Sequence, residues 1–390
     1  MGAYVGRVSK REETGQRTTA LIIALALALA LVSGGVAVGG GRASAQSTTT
    51  FTTTTTISTS TTTTSTTEPA ALPSPTVTIA AVGDTELGNT PTLPSDPGAY
   101  FRPIEHALAA PIVFGNLEGT MTTATTSKCH AHATNCLALK VPPSFARDYR
   151  AAGFTVLNAA NNHSFDFGEA GALSTTAALR AAGIAQAGLP GEIGVVRDGS
   201  LRVAFVDFAP YANTNDLLNF AAARQLIIRA KREANVVVVY MHAGAEGASA
   251  DQVTKREEHY VGEDRGNPFA FAHAAIDEGA DLVIASGPHV LRGLEFYRGR
   301  LIDYSLGDFT NYDDFAHDGV LGLSCILHVT LEANGAVASA HFTSVVLRGV
   351  GQAFVDPSDA AAHFVNSLSR EDFGTAAAII EPNGSIARGR

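Results

Sequence analysis

Five stretches of this chain end an apolar run in groups able to hold a cation or move a proton. Val77–Val82 leads into Gly83-Asp84-Thr85-Glu86. Ile112–Phe114 leads into Gly115-Asn116-Leu117-Glu118. Phe154–Leu157 leads into Asn158, Asn161, Asn162, His163 and Asp166. Val236–Met241 leads into His242, and Leu282–Ala285 into Ser286-Gly287-Pro288-His289. The carboxylates of Asp84, Glu86 and Glu118, the amide oxygen of Asn162 and the imidazoles of His242 and His289 form a donor set for one or two divalent cations. Carboxylates lean to Mn or Mg, and the imidazoles keep Zn or Fe open. Such cations polarise a phosphoryl oxygen and generate a hydroxide nucleophile. A histidine beside the metal protonates a leaving oxygen. His163 suits that role, with Asp166 as its orienter. Each residue alone has a plainer reading: Asp84 as a helix N-cap, Glu118 as a surface acid, the histidines as hydrogen-bonded core groups. Five strand ends delivering such groups argue for one shared site.

The elements that must position these residues are buried strands. β-Branched runs such as Val77-Thr-Ile-Ala-Ala-Val82 and Val236-Val-Val-Val-Tyr-Met241 read as such strands. Helical patterns alternate with them, over Pro143–Ala152, Glu169–Ala182, Leu217–Ala234 and Pro268–Gly279. The last has Pro in its first turn and Gly at its end. Asn334-Gly335 between two apolar runs predicts a hairpin. Together they predict an α/β domain whose site lies at the carboxyl edge of the strands. Arg265 and Asn267 stand just before the Pro268 helix, where a helix start with an arginine binds an anionic substrate group. A surface arginine is the other reading.

Composition bounds the rest. The 390 residues are 45% hydrophobic and 16% charged, with a net charge of −10. The first 45 residues hold five basic and two acidic groups, leaving about −13 on the remainder. That charge argues against nucleic acid as a partner. Residues 1–45 read as a signal peptide or signal anchor: Arg7, Lys10, Arg11 and Arg17 lead an apolar run from Ala20 to Val38, and Ala43-Ser-Ala45 suits cleavage. Both readings place the remainder outside the cytoplasm, secreted or membrane-anchored at the cell surface. Residues 46–75 read as a disordered stalk, since 19 of the 21 residues from Ser47 to Thr67 are Ser or Thr. Residues 76–350 form the folded domain and 351–390 a C-terminal extension. Of three cysteines, Cys129 and Cys136 bracket a short polar loop and suit a disulfide in an oxidising compartment. Cys325, in an apolar run, reads as a buried free thiol.

Gly83-Asp84, Asn116-Leu-Glu118, Ala160-Asn-Asn-His-Ser-Phe-Asp-Phe-Gly168, His242-x-Gly-x-Glu246, Gly287-Pro-His289-Val and Tyr304-Ser-Leu-Gly-Asp-Phe309 stand in that order. In this the chain resembles the CapA/PgsA family of bacterial capsule and poly-γ-glutamate synthesis proteins, itself similar to the calcineurin-like metallophosphoesterases. The resemblance runs from about Thr76 to Leu347. It implies a four-layer αββα sandwich. It also implies Asp84 as the first-motif ligand, Glu118 in place of the bridging acid, Asn162 as the ligand amide, His163 as the acid, and His242 and His289 as the remaining ligands. Three motifs depart from the pattern. Glu86 replaces a histidine, Ser286 and Gly287 offer no imidazole, and Asp308 stands where the family has Asn. These departures imply a one-metal site, or a carboxylate-heavier one using Glu86 and Glu118.

The function implied is an exported protein of capsule or poly-γ-glutamate production, with an anionic polymer or phosphoester substrate and a membrane export complex as partners. As an enzyme it would be a metal-assisted hydrolase or transferase. A non-catalytic scaffold that binds polymer or partners is the rival from another class, and a secreted phosphatase the third reading.

Overall fold

A computed structural model describes residues 74–129, 136–312 and 314–389. The signal or anchor segment and the stalk up to residue 73 lie outside the described residues. Among those described, no helix is long and apolar enough to cross a membrane.

The β-branched runs pair into two sheets. In chain order the strands are β1 (Thr76–Glu86), β2 (Ile112–Leu117), β3 (Val156–Asn158), β4 (Ala185–Ala187), β5 (Gly194–Asp198), β6 (Leu201–Phe208), β7 (Val236–His242), β8 (Leu282–Ser286), β9 (Leu294–Tyr297), β10 (Arg300–Asp303), β11 (Asp308–Asn311), β12 (Leu323–Glu332), β13 (Val337–Arg348) and β14 (Gln352–Val355). The first sheet runs β14-β13-β12-β1-β2-β3-β4, with β11 also on β1. The second runs β9-β10-β8-β7-β6-β5. Strands β1 to β4 are parallel, as are β6, β7, β8 and β10. Parallel pairing sends several carboxyl ends to one edge, which is where the polar loops gather.

Alternation sorts each strand into two faces. Val77, Ile79, Phe114 and Val156 of the first sheet pack against Val203, Phe205, Val238, Tyr240 and Ile284 of the second. The other face of the first sheet, Ala80, Val82, Val113 and Leu157, is covered by Tyr149 of α2 (Ala146–Ala151) and Leu179 of α3 (Gly168–Ala182). The other face of the second, Val206, Val237, Val239 and Val283, is covered by Leu226 and Ile227 of α4 (Phe220–Glu233) and Phe271 of α5 (Pro268–Asp277). The order is helix, sheet, sheet, helix: the four-layer sandwich.

The segment after residue 350, expected as an extension, is part of the same core. β14 completes the first sheet. Helix α6 (Ala360–Phe373) buries Ala361, Ala362 and Val365 in the inter-sheet core and Phe373 in the outer one. Its apolar face had no partner visible in the sequence. Cys129 and Cys136 are disulfide-bonded, and Cys325 is buried and free.

Asp207 brings a carboxyl into an apolar layer. Asp207 on β6 alternates with Val203 and Phe205, so it enters the inter-sheet layer, fully buried with neither carboxylate oxygen hydrogen-bonded. Burial, helped by Glu192, pushes its carboxyl well above the usual range. An acid raised in the folded state contributes full stability below its unfolded value, near 4, and loses it as pH rises towards its folded value. Each pH unit of that window is worth about 1.4 kcal/mol. Asp207→Asn keeps the shape and removes the ionisation. It is expected to raise the thermal midpoint at pH 7.5 and to leave it unchanged at pH 4. An equal midpoint at both values would show that Asp207 is solvated.

Candidate metal centre

The site begins as a row of side chains across three parallel strands. Asp84, Asn116 and Asn158 are register partners on β1, β2 and β3. Asn116 and Asn158 alternate with Phe114 and Val156, so both face the second sheet. Asp84 would not, because Ala80 and Val82 face the helices. Between Ala81 and Asp84, β1 carries one residue more than β2. That bulge reverses the facing of the residues after it and turns Asp84 inward. The Asn158 amide donates to Asn116 Oδ1 at 2.6 Å, and the Asn116 amide donates to Asp84 Oδ1 at 2.7 Å. Opposite lie His242 and Ser286, register partners on β7 and β8. The Ser286 hydroxyl donates to Asp84 Oδ1, and the Gly287 N–H to Asp84 Oδ2 at 3.3 Å.

Around Asp84 the fold assembles two sets of ligand atoms, each set within 4.8 Å: Asp84, Glu118 and His242, and Asp84, His289 and Asp308. Both sets are buried and share Asp84. Asn162 Oδ1 lies 2.9 Å from His242 Nε2, beside the first set. His289 adopts a left-handed backbone, φ 57°, uncommon for a residue with a side chain. Its Nδ1 lies 2.7 Å from Asp308 and 3.2 Å from Asp84. Glu118 Oε1 and Asp308 Oδ2, one from each set, are buried without a hydrogen-bond partner. Buried oxygens left without donors are what a cation satisfies. The donor set of carboxylates and imidazoles is that of a divalent ion, so the residues fit one.

The electrostatics agree. Burial pushes Asp84 up, but the hydrogen bond and charge of His289, with His242 and Ser286, outweigh it and hold Asp84 at about 2. Burial and the Asp84 charge raise Glu118 well above the carboxylate range. Burial raises Asp308 to about 6 although His289 pulls it down. Burial alone would depress His289. Asp308 and Asp84 raise it well above the usual imidazole value, so it stands as the counter-cation of the second set. Burial keeps His242 neutral, with a lone pair to offer. A cation entering the second set competes with the His289 proton.

His163 adjoins this cluster, with Nε2 at 3.9 Å from Glu118 Oε1. Its Nδ1 lies 2.7 Å from Asp166 Oδ2, which also accepts the Leu139 N–H. Sequence reasoning missed Lys128. Its ammonium lies 2.6 Å from Asp166 Oδ1 and donates to the Asn162 carbonyl at 3.2 Å. It precedes Cys129, so the disulfide fixes its start. Lys128→Met is expected to cost about 2 kcal/mol, the range of a charge-assisted hydrogen bond. The lysine is 38% exposed, which keeps this below the cost of opening a fully buried pair. Urea denaturation checks it, and a loss under about 0.5 kcal/mol would mean no clamp.

Other expected site residues lie elsewhere. Glu86 accepts the Tyr312 N–H at 3.2 Å, and its carboxyl is raised by burial and by Asp314. It belongs to neither ligand set; Asp308 supplies the extra carboxylate instead. Asn267 caps α5, accepting the Ala270 N–H at 2.9 Å. Arg265 is buried and paired with Glu246 at 2.8 Å, and Glu246 in turn lies 3.9 Å from His289. Asn116 and Ser286 stand in the sequence motifs with no role attached to them there. Their inward parity on β2 and β8 was the available signal. A larger cavity, about 610 Å³, lies between β6 and α4, lined by Phe208, Asn215, Leu226 and Arg229. Among the described residues no ligand cluster lines it, so the chemistry is assigned to the polar centre around Asp84.

The profile of the bacterial capsule synthesis protein PGA_cap matches residues 78–313. The PGA biosynthesis protein CapA of Bacillus subtilis is 27% identical over 231 residues, covering 54% of this chain and 55% of that protein. The capsule biosynthesis protein CapA of Bacillus anthracis is 29% identical over 202 residues, covering 47% and 46%. The chain thus spans about half the length of the curated relatives it matches. Among solved structures, a 5′-nucleotidase precursor from Thermus thermophilus aligns with a TM-score of 0.40 at 13% identity, over 78% of this chain and 60% of that one. On the sequence match across the strands that carry the site, the chain belongs to the bacterial capsule synthesis protein family, PGA_cap.

Proposed function

We propose that this protein is a metal-dependent hydrolase or transferase acting at a phosphoryl or related centre in capsule polymer production, with poly-γ-glutamate as the polymer. The reading places it outside the cytoplasm, tethered or released by its N-terminal segment, beside a membrane export complex. One observation carries it: two ligand sets share Asp84, and the His163–Asp166 pair adjoins them. Asp84, Glu118, His242, His289 and Asp308 would hold the cation or cations, Mn or Mg by the carboxylate content. A bound divalent ion supplies Lewis-acid polarisation of a phosphoryl oxygen. His163 does the proton work. Its Nδ1–H donates to Asp166, which leaves Nε2 on the side of Glu118 to serve the leaving oxygen. Asn116 holds Asp84 and Glu118 apart by donating to both.

A second reading rests on Ser286 and Gly287, which stand where an imidazole would complete the shell. The same centre then holds one ion structurally, and the protein binds polymer or export partners as a scaffold. One experiment separates the two. The purified full-length protein is measured for bound metal and assayed on a phosphoester panel beside His163→Ala. Metal together with turnover that falls about 100-fold or more in the variant is expected. Bound metal with no His163-dependent turnover would overturn the enzyme reading and favour the scaffold.

A further inference from the structure

Arg265 carries more than a structural ion pair accounts for. Its side chain is 1% exposed, yet only Nη1 is engaged, by Glu246 Oε1 at 2.8 Å. Nε and Nη2 are buried and have no hydrogen-bond partner. A guanidinium withdrawn from water with unused donors is costly. These two N–H groups form one parallel edge, the fork that matches a pair of oxyanion oxygens.

The surroundings fix the Arg265 guanidinium one side chain from the second ligand set. The Arg265 backbone is pinned on both sides: its N–H donates to Glu258 and its carbonyl accepts from Gly244. Glu246 bridges the guanidinium to His289 of the second ligand set. It also lines a cleft of about 300 Å³ with Ser249, Gln252, Arg256 and His259, so room for an extended substrate begins at the residue that holds Arg265. The other neighbour is weak. Glu263 lies 3.6 Å from Nη1, is 53% exposed, and accepts a hydrogen bond from Tyr211 at 2.8 Å. Its negative charge beside the same guanidinium opposes an incoming oxyanion.

We infer that Arg265 is the oxyanion-binding residue of this site, its Nε–Nη2 edge taking a carboxylate or phosphate of the substrate while Glu246 holds Nη1. The inference rests on the reading that a substrate is bound at the metal centre. It adds that the substrate carries a second oxyanion, one side chain beyond the ligands.

The test is calorimetric titration of the Mn-loaded full-length protein with inorganic phosphate and with a γ-linked glutamate trimer. Wild type is compared with Arg265→Met, Arg265→Lys and Glu263→Gln, and metal content is measured for each. Arg265→Met is expected to weaken at least one probe by 10-fold or more at unchanged metal content. Arg265→Lys, which keeps charge and loses the fork, should recover only part. Glu263→Gln should tighten the same probe severalfold, and it decides the matter should the arginine variants fail to fold. Loss of the trimer alone assigns a carboxylate; loss of phosphate alone assigns a phosphoryl group. Equal binding by wild type and Arg265→Met, no tightening in Glu263→Gln, or no binding of either probe to wild type would overturn the inference. Because binding is read without turnover, an inactive protein that binds through Arg265 counts against the reaction and leaves this inference standing.

Discussion

Asp84→Asn is expected to empty both halves of the centre in one step. The substitution keeps size and shape, but both carboxylate oxygens are already committed as acceptors. Oδ1 takes the Asn116 amide and the Ser286 hydroxyl, and Oδ2 takes the Gly287 N–H. An amide must turn its NH₂ towards at least one of those donors, at a position that is 1% exposed. It also removes the only charge common to both ligand sets. Loss of an outer partner costs metal affinity about 10- to 100-fold, so a shared ligand should cost at least 100-fold. Elemental analysis of the purified variant should find its metal gone. The thermal midpoint offers an independent readout. Ligand at 100 times its Kd stabilises the native state by about 2.7 kcal/mol, so wild type should gain several degrees with added Mn and the variant none. Metal retained at wild-type stoichiometry would show that the ligand sets are misassigned.

Gly83→Ala, one residue earlier, should do its damage through the fold. A Cβ at position 83 would sit 1.8 Å from the Gly307 carbonyl oxygen and 3.0 Å from the Leu306 carbonyl carbon. Both obstacles are backbone, so no side chain can swing aside. The Gly307 carbonyl also accepts the Asp84 N–H at 2.9 Å, the bond that seats β11 on β1. Separating the strands breaks that bond and moves Asp84 away from Asp308, its register partner. Overpacking of this kind costs about 1–3 kcal/mol where neighbours yield. Here, with backbone on both sides, roughly 4 kcal/mol or more is expected. Urea denaturation measures it, and a loss below about 1 kcal/mol would mean that β11 shifts freely.

Much of this was legible in the sequence, for a definite reason. Period-two alternation announces strands, and polar residues at their ends announce an edge. Asp84, Glu118, Asn162, His163, His242 and His289 could therefore be singled out from residue types and spacing. The Asn334-Gly335 turn carries its own local chemistry, and the cysteine pair needed only its short spacing and an oxidising compartment. What could not be read depends on irregularity or on long-range approach. Gly83 is a strand glycine that lets another backbone come close, and nothing in the neighbouring residue types announces that approach. The bulge after Ala81 leaves no mark in the residue types, yet it turns Asp84 inward. Asp308 was visible as a departure from the family pattern. Its role as a ligand depends on β11 lying beside β1, some 220 residues away in sequence. Glu86 has the right chemistry for the centre but meets the backbone of Tyr312 instead. Asn267 shows the same limit: the amide that suits a ligand also suits a helix start.

The place of β1 in its sheet sets the order in which the molecule can be completed. The domain's first strand is an interior one, between β2 and β12, and Thr76 is paired with Glu332. Nothing made before β11 and β12 can close that side of it. The whole second sheet lies in sequence between the two partners. Closing so long a loop comes with an entropic cost and slows folding. The centre, built from residues 84 to 308, forms only when the strands that carry those residues are all in place. On the proposed reading a cation would be captured by the finished fold and not by the nascent chain, so the ions available where folding ends would set which one the centre takes.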